Sequence, residues 1–469
     1  MVDLVTIAAG ISQAPSPEEV GAKAANLAQV AMLGVPVPPA FALPVQFGTK
    51  IIEGDRKTEA ELIVVLAKGI EWLGSVTRKR FGDRRRPLLV SVRSGAARSM
   101  PGMLDTVLNV GCTMASTHGL IRMTGNPRFA WDCRRRFLEG YVDTVLGLDA
   151  SPFVARLDAL VTEEAVESDR ELDGEALERL TSAYEGLIAD SNSTVPDEAM
   201  NQLIASSWAV YRSWTGERAR TYRRLRGLDH LPGTGVMVQA MVFGNRGITS
   251  GAGVAFSRNP STGSKEPVID MLLDAQGEDV VSGRRTPETE SSIPHLLPAL
   301  ASELNQVLTR LEREFRDVQD VEFTIEANRL WILQTRPAKR TGRAALRFAV
   351  DFVRDGFISP DEGKQRVSGL DPTAAVVARF ADERKPVAQG LGAAAGVASG
   401  RAAFDSEAAK RLVAGGDRVI LVRSDISTAD IAGLAVCDGI ITATGGRTAH
   451  AALVAREMGK ACVVGCDGL

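Results

Sequence analysis

The sequence predicts an α/β protein with more than one domain, and three observations support this fold class. The chain has 469 residues, more than a single hydrophobic core usually serves. Residues 126–226 are rich in Arg, Glu, Leu and Ala and predict helices, whereas residues 233–337 alternate strand patterns with glycine-rich turns. From about residue 389, short apolar strands surround a helix. We therefore expect separate helical and mixed α/β parts.

Composition restricts the classes of partner. Hydrophobic residues make up 45% of the chain and charged residues 24%, as in ordinary globular proteins. The formal net charge of −3 excludes the broad positive field that nonspecific nucleic-acid binding requires. No segment reaches the ~20 continuous apolar residues of a membrane span, and the start of the chain lacks the basic run of a signal peptide. We expect neither a nucleic-acid nor a membrane partner.

Cysteine and histidine are few. The five cysteines form no CxxC pair, which argues against a disulfide framework or a zinc site and favours a cytoplasmic protein. Of the four histidines, His118, His230 and His295 have no motif around them. The run Arg134–Arg136 is predicted to be a solvated helix face.

The first candidate site lies near the N-terminus. Residues 19–34 predict a helix that stops at Gly34. Lys23 lies near its start, directly after Gly21. A lysine there opposes the helix dipole, so a nearby anion would be its natural partner. The alternative is a solvated surface lysine.

A second candidate follows a predicted buried strand over residues 87–92. Arg93 lies where this strand ends, and the glycine- and serine-rich loop after it carries Arg98 and Ser99. Strand ends that lead into such loops are common binding positions in α/β folds. The alternative is a structural arginine at a strand end.

A third candidate is a predicted hairpin. Residues 320–326 and 330–336 read as strands joined by a three-residue loop at 327–329. A two-residue loop would shift the register of this hairpin. With three loop residues, the side chains of the facing residues share one face of the sheet. The facing pairs are then Glu322 with Gln334, and Asp320 with Arg336.

The side chains on this predicted face have a recognisable chemistry. Oxygen ligands from Glu322 and Gln334 suit Mg²⁺. The guanidinium of Arg336 suits a phosphate oxygen. The alternative is cross-strand salt bridging on a solvated sheet face.

The fourth candidate is His450. A strand over residues 440–443 leads into a tight loop at 444–447, Thr448 is predicted as the N-cap, and the helix that follows ends at Gly459. His450 then lies in the first turn, where the helix dipole keeps its imidazole neutral and nucleophilic. A phosphoryl group added there would meet free backbone N–H groups. The alternative is a histidine that caps or packs.

The longer string around this histidine is more specific than the lone residue. Residues 444–465, TGGRTAHAALVAREMGKACVVG, closely resemble the phosphohistidine swivel domain of the PEP-utilising enzymes, a family that includes the pyruvate phosphate dikinases. The resemblance implies that His450 accepts a phosphoryl group and that Thr448 is a candidate regulatory phosphorylation site. One departure is Ala449, because many members have a small hydroxyl or thiol residue before the histidine. A lost hydrogen bond there would slow phosphoryl transfer.

Other segments resemble the nucleotide-binding domain of the same family, an ATP-grasp fold. In chain order they are GAKAANLAQVAMLGVPVPP, LLVSVRSGAARSMPGMLDTVLNVG, GTGVMVQAMVFGN, FSRNPSTG, AQGEDVVSGRRTP and VEFTIEANRLWILQTRP. The resemblance implies a nucleotide site in which Lys23, Arg93 and Arg98 contact phosphates, Gln239, Met241 and Val242 form a hinge strand at the adenine, and Glu278 faces the ribose. It further implies that Glu322 and Gln334 bind Mg²⁺ while Arg336 contacts the transferring group.

The resemblance also implies a domain order and a reaction. An ATP-grasp domain would span residues 1–342, with a helical insertion at about 126–226, followed by a helical connector at 343–388 and a β/β/α swivel domain at 389–469. ATP and inorganic phosphate would be consumed and AMP and pyrophosphate released while His450 is phosphorylated. The nitrogen of His450 would attack the β-phosphoryl group in line, and the swivel domain would then travel to an acceptor.

In the dikinases the acceptor is pyruvate, which becomes PEP in a (β/α)₈ barrel of at least ~200 residues. Only the four residues CDGL follow Gly465, so we expect a separate barrel protein, another acceptor, or a shortened gene product. A PEP synthase-like or rifampin phosphotransferase-like enzyme and a non-catalytic phosphocarrier remain alternatives. A homodimer also remains open.

Overall fold

The computed structural model describes residues 4–98, 100, 103–282, 285–289, 292–371, 376, 380–381, 385–426 and 430–466. The chain divides into two compact units, Met1–Val242 and Phe243–Leu469. Among the described residues, no helix combines the length and apolar character that crossing a membrane requires. All five cysteines are free and buried.

The first unit is built around an antiparallel five-stranded sheet, here called the first sheet. Every side chain of its central strand, Gly235–Ala240, is buried. The strands in spatial order are Val5–Ile7, Ala40–Leu43, Gly235–Ala240, Val90–Gly95 and Thr106–Val110. A small parallel pair, Arg80–Phe81 and Pro87–Leu88, lies beside the longer helices. The predicted strand over 87–92 is therefore two strands interrupted at Leu89.

Helices cover the rest of the first unit, and the predicted helical stretch at 126–226 is confirmed. Its first helix starts where the side chain of Asn126 accepts the amide of Phe129 at 3.0 Å, an N-cap that Pro127 reinforces. The α-helices of the unit are Pro17–Val20, Ala22–Met32, Val45–Ile52, Arg56–Thr77, Met114–Thr124, Pro127–Tyr141, Ser151–Glu163, Gly174–Asp190, Ala199–Ser213 and Glu217–Arg226, and a π-helical turn covers Val142–Leu146.

The arginine run in this helical stretch is not solvated, so that prediction was wrong. Arg134 and Arg135 are each 4% exposed. Arg135 pairs with Asp132 at 2.7 Å, Glu139 at 2.9 Å and Asp169 at 3.2 Å. Carboxylates one helical turn away on either side make burial of the guanidinium possible, because a buried charge must be paired.

The second unit contains two sheets. The second sheet is antiparallel, and its strands in order are Glu288–Thr289, Val268–Leu273, Gly251–Phe256, Gln319–Glu326 and Arg329–Pro337. The helices that accompany it are Gly277–Ser282, Ile293–Leu296, Pro298–Phe315, Gly342–Arg354 and Pro360–Val367. The last two lie in the predicted helical connector, in which residues 372–375, 377–379 and 382–384 fall outside the described residues.

The third sheet occupies the C-terminal part of the second unit. Four of its strands run parallel and Leu391–Ala394 pairs antiparallel at one edge. The strands in order are Leu391–Ala394, Ala461–Val464, Gly439–Thr442, Val419–Arg423 and Arg401–Ala403, and the helices are Ser406–Ala414, Ile431–Val436 and His450–Met458. An aliphatic core that includes Leu421, Ile440 and Ala452 joins strands and helices.

The predicted helix at 19–34 is broken at Gly21. The chain forms Pro17–Val20, turns at Gly21 with φ of 86°, and continues as Ala22–Met32. A Cβ atom on Gly21 would lie 1.9 Å from the carbonyl oxygen of Gly95. The glycine therefore allows the helix start to touch the end of strand Val90–Gly95, where the amide of Ala22 donates to the carbonyl of Ala96 at 2.9 Å.

We predict that Gly21→Ala destabilises the first unit by roughly 3 kcal/mol or more, because it adds a backbone clash to a disfavoured positive φ. Thermal unfolding of the two proteins measures the effect. Gly54→Ala is the matched control, since Gly54 also has a positive φ, of 81°, but its added Cβ would meet nothing within 4 Å. Equal losses in the two variants would contradict the close-approach argument.

Candidate active site

The predicted hairpin pairing is confirmed, although its loop is shorter than expected. Glu322 faces Gln334 and Asp320 faces Arg336. Glu326 pairs with Arg329, so the turn has two residues, and the expected three-residue loop is wrong. The turn residues Ala327 and Asn328 have φ of 49° and 62°, the left-handed pair that matches the twist of a tight hairpin.

A β-bulge at Leu333 reconciles the short turn with the predicted pairs. Phe323 faces Ile332, but Glu322 faces Gln334, so one strand carries an extra residue at this point. The bulge moves the register by one residue. Glu322 and Gln334 thus return to a facing position that the two-residue turn alone would not give them.

The pairs on this face form a charged cluster. Nε of Arg336 donates to Oδ2 of Asp320 at 2.8 Å, and Nη1 lies 3.8 Å from Oε1 of Glu322. Burial raises the pKa of Asp320, and the charge of Arg336 opposes that rise. The pKa of Arg336 is raised in turn by Asp320. Oδ1 of Asp320 is buried without a hydrogen-bond partner in the described part of the chain.

The donor set at this cluster fits magnesium. Among the described residues no three His, Cys, Asp or Glu side chains form a ready metal cage. Mg²⁺ does not need one, because it usually takes one or two carboxylates and completes its shell with substrate phosphates and water. The carboxylate of Glu322 and the amide oxygen of Gln334 supply such a partial set, and the unused oxygen of Asp320 adds negative potential beside it.

The helix that carries His450 begins one residue later than predicted. It spans His450–Met458, with Ala449 as an N-cap residue whose side chain makes no capping bond, and it ends at Gly459. Thr448 is therefore not the N-cap. The amide of Thr448 instead donates to Oδ2 of Asp270 at 2.8 Å. The side chain of His450 lies outside what the structure describes, whereas its backbone lies in the first turn of the helix, as predicted.

Asp270 holds the loop before the histidine on the second sheet. This carboxylate is 0% exposed, and its Oδ1 accepts Nη2 and Nε of Arg447 at 3.3 and 3.4 Å. Burial raises its pKa, and Arg447 opposes that rise. A Cβ atom on Gly446 would lie 2.5 Å from Oδ2 of Asp270. The glycine thus lets the loop backbone reach the carboxylate.

Residues 443–449, which precede His450, are here called the histidine loop. This loop contacts the same face of the second sheet that carries the candidate metal ligands. Asp270 faces Val254 on the next strand, Val254 faces Glu322, and Glu322 faces Gln334. Directly facing residues of antiparallel strands project from the same side of a sheet. The loop that precedes His450 therefore contacts the face of the second sheet that carries Glu322 and Gln334.

The predicted phosphate residues of the first unit come from touching segments. Lys23 is the second residue of helix Ala22–Met32, and Arg93 lies two residues before Gly95, which Gly21 approaches closely. Nη1 of Arg93 donates to Oε1 of Gln239 at 3.3 Å. The side chain of Gln239 therefore accepts a hydrogen bond from Arg93, which is one of the predicted phosphate-binding residues.

The other predicted nucleotide residues are less closely grouped. Arg98 is exposed, and Ser99, Pro101 and Gly102 of its loop lie outside the described residues. The predicted hinge strand at 239–242 ends at Ala240. Beyond it the amide of Met241 donates to the carbonyl of Leu89 at 2.9 Å, and Val242 follows half-buried, because the sheet has ended.

In the second unit, Glu278 is exposed on the short helix Gly277–Ser282. Two residues that were not predicted from the sequence, Asp270 and Arg456, also hold the histidine loop. Asp270 interrupts the apolar strand sequence VIDMLL, and an acid at such a position is a signal of a buried partner. Arg456 follows Ala455 on the buried side of its helix, where a cation is equally out of place.

The sequence of this chain matches two family models. The model described as pyruvate phosphate dikinase, AMP/ATP-binding domain, matches residues 58–293 and 286–353. The chain belongs to the pyruvate, phosphate dikinase family. The model described as PEP-utilising enzyme, mobile domain, matches residues 415–469, which include the histidine loop.

Curated members of the dikinase family are similar along almost the whole chain. The pyruvate, phosphate dikinase of Clostridium symbiosum is 42% identical over 454 residues, which are 95% of this chain and 52% of that protein. The enzyme of Rhizobium meliloti (strain 1021) is 42% identical over 471 residues, 96% of this chain and 52% of that protein. Pyruvate, phosphate dikinase 1 of Zea mays, chloroplastic, is 39% identical over 459 residues, 96% of this chain and 48% of that protein. The chain spans about half the length of these relatives.

The buried carboxylate predicts a pH dependence for this dikinase-family loop. Since the pKa of Asp270 is raised in the folded protein, its contribution to the free energy of unfolding is complete at low pH and is lost as the pH rises through the raised value. Relative to Asp270→Asn, the wild type should lose stability as the pH rises above the ordinary carboxyl pKa of about 4. Urea unfolding across this range measures the difference, and a pH-independent difference would contradict the assignment.

Proposed function

We propose that this chain is an ATP- and phosphate-dependent phosphotransferase that phosphorylates its own His450. The observation that carries the proposal is the position of the histidine loop, whose Thr448 amide binds Asp270 on the sheet face that bears Glu322 and Gln334. An acceptor held over a magnesium and phosphate site is what transfer from a nucleotide requires. Membership of the dikinase family supports the same reaction.

The proposed reaction balances as two phosphoryl transfers. A nitrogen of the neutral His450 imidazole attacks the β-phosphorus of ATP in line, and the bond from that phosphorus to the AMP oxygen breaks. Inorganic phosphate then attacks the γ-phosphorus, and the bond from this phosphorus to the oxygen that bridges it to the β-phosphorus breaks. Pyrophosphate leaves, and the β-phosphoryl group stays on His450. The first position of a helix suits the product, because the phosphoryl oxygens meet free N–H groups and the positive end of the dipole.

Several residues of the chain would bind the nucleotide and stabilise the negative charge of its phosphates. Lys23, Arg93 and Arg98 would contact the phosphates, while the backbone from Gln239 through Met241 and Val242 would contact adenine and Glu278 would face the ribose. Glu322 and Gln334 would hold Mg²⁺, which when bound neutralises developing charge on the phosphate oxygens. Arg336 would contact the group in transfer. Thr448 is 1% exposed, so its phosphorylation would require the loop to leave Asp270.

We propose three functional parts for the chain. Residues 1–342 would form an ATP-grasp nucleotide domain with a helical insertion, residues 343–388 a connector, and residues 389–469 a swivel domain that carries His450. Onward transfer to pyruvate, giving PEP, would require a barrel domain. Loss of the contacts at Asp270 would release the swivel domain, which could then move to the acceptor site. X-ray scattering with and without nucleotide would detect this motion.

The first test follows the label from ATP. When the ATP is labelled at the β-phosphoryl position, we expect the wild-type protein to carry acid-labile, alkali-stable radioactivity. The His450→Ala protein should carry none, although it binds ATP normally. Label from the γ-phosphoryl position should appear in pyrophosphate. Label on the His450→Ala protein, or γ-label that stays on the wild type in the presence of inorganic phosphate, would refute the assignment of the acceptor.

The requirement for phosphate separates the dikinase reaction from its relatives. Repeated release of AMP, together with formation of pyrophosphate, should depend on added inorganic phosphate. A PEP synthase-like or rifampin phosphotransferase-like enzyme would release AMP without it, and the γ-label would then leave as orthophosphate. A non-catalytic nucleotide-binding module would release no AMP under either condition.

The second test concerns the metal ligands. Glu322→Gln should lower the rate of His450 labelling at least about tenfold, because it removes the anionic ligand, and higher Mg²⁺ concentrations should restore part of the rate. Glu326→Gln is the matched control, since Glu326 lies on the same strand and pairs with Arg246 at 3.3 Å. Equal effects of the two changes, or no effect of Glu322→Gln, would remove Glu322 from the metal site.

A further inference from the structure

Arg456 lies six residues beyond His450 on the same helix and is almost completely buried. Its exposed fraction is 3%, and among the described residues it makes no ion pair with a carboxylate. Burial lowers its pKa to about 10, so the guanidinium remains charged at neutral pH. A buried arginine of this kind requires an explanation, because a desolvated charge is costly unless it is well bound.

The guanidinium binds two backbone carbonyl groups from different segments. Nε donates to the carbonyl of Ala393 at 2.9 Å, and Nη2 donates to the carbonyl of Arg447. Ala393 belongs to the edge strand of the third sheet, and Arg447 lies three residues before His450. The planar fork of one arginine therefore ties the histidine loop to the sheet in a fixed geometry, which a lysine ammonium cannot reproduce.

The same guanidinium also contacts the second sheet. Its central carbon lies 5.1 Å from the ring centroid of Phe256, a cation–π distance. Phe256 faces Asp320 on the neighbouring strand. The carboxylates of Asp320 and Asp270 both favour the charged form of Arg456. Leu453 of the same helix packs against the apolar cluster that contains Phe256.

Two buried polar atoms remain unused at this contact. Nη1 of Arg456 has no hydrogen-bond partner within the described part of the chain, and neither has Oδ1 of Asp320. They belong to groups of opposite charge that attract each other.

We propose that Arg456 is a positioning residue for phosphoryl transfer to His450, an inference that rests on the function proposed above. Its bonds to Ala393 and Arg447 brace the histidine loop, and its contact with Phe256 sets where that loop stops on the second sheet. When the third sheet moves away from the second sheet, the bonds of Arg456 to Ala393 and Arg447 remain and move with His450. The contact of Arg456 with Phe256 is lost.

The test compares Arg456→Lys and Arg456→Met in the full chain. We expect the rate of His450 labelling from ATP to fall between about tenfold and about a hundredfold in both, because small misplacements of reacting groups have effects of this size. The dissociation constant of ATP should not change. Arg456→Lys should be faster than Arg456→Met, because it keeps a cation over Phe256.

Arg418→Met is the matched control. The side chain of Arg418 is 66% exposed and lies 3.5 Å from Asp438, so its loss should leave the labelling rate at the wild-type value. The same fall in Arg418→Met as in Arg456→Met would mean that any loss of charge from the third sheet suffices, which would overturn the proposal.

Hydrogen exchange supplies a readout that does not depend on activity. The amide of Thr448, which donates to Asp270, should exchange at least about tenfold faster in Arg456→Lys, while the urea midpoint of the protein changes little. Combining Arg456→Lys with Phe256→Leu should slow labelling by less than the product of the single effects, since both changes disrupt one contact. Wild-type labelling together with unchanged Thr448 exchange would overturn the proposal, and so would fully independent effects in the double variant.

Failure of this proposal can be distinguished from failure of the proposed function. If the wild type takes no label from ATP, the phosphotransferase assignment fails, but exchange at Thr448 still decides whether Arg456 braces the loop. If Arg456→Met does not fold, Arg456→Lys carries the comparison, because its side chain is of similar length and keeps the charge.

Discussion

A single buried carboxylate determines where the histidine loop lies. Asp270 receives the amide of Thr448 and the guanidinium of Arg447, and its strand also forms part of the sheet that carries the candidate magnesium ligands. Burying a carboxylate is unfavourable unless its oxygens are satisfied, and here the satisfying groups come from a segment far away in the chain. The loop that binds Asp270 therefore stabilises the sheet, and the sheet in turn orients the loop.

Such a contact suits a reversible arrangement better than an apolar interface would. Hydrogen bonds to a charged group are directional and can be exchanged for water, so separation costs less than exposure of a large hydrophobic surface. Leu453, a partly buried residue, contributes an apolar contact with the cluster around Phe256. A phosphoryl group arriving two residues after Thr448 would add negative charge near Asp270, and repulsion between like charges would favour departure.

Local patterns predicted the elements of the fold better than the contacts between them. The pairing of Glu322 with Gln334 was predicted from a three-residue loop. The pairing is correct although the loop is not, because the shorter turn and the bulge at Leu333 compensate for each other in a way that no local pattern reveals. The break at Gly21 depends on Gly95, which is distant in sequence. The buried Arg135 appeared to belong to a solvated run because one of its three acidic partners, Asp169, lies 34 residues away. Asp270 and Arg456 were missed for the same reason.

The cysteines offer a practical consequence. Burial raises the pKa of the Cys462 thiol to about 12, and burial also raises the pKa values of Cys112 and Cys437. Protonated, inaccessible thiols react slowly with maleimides. A cysteine introduced on the surface of the third sheet would thus react with a maleimide fluorophore while the native thiols remain largely unlabelled. Spectroscopic distances could then be measured in a chain that retains its native thiols.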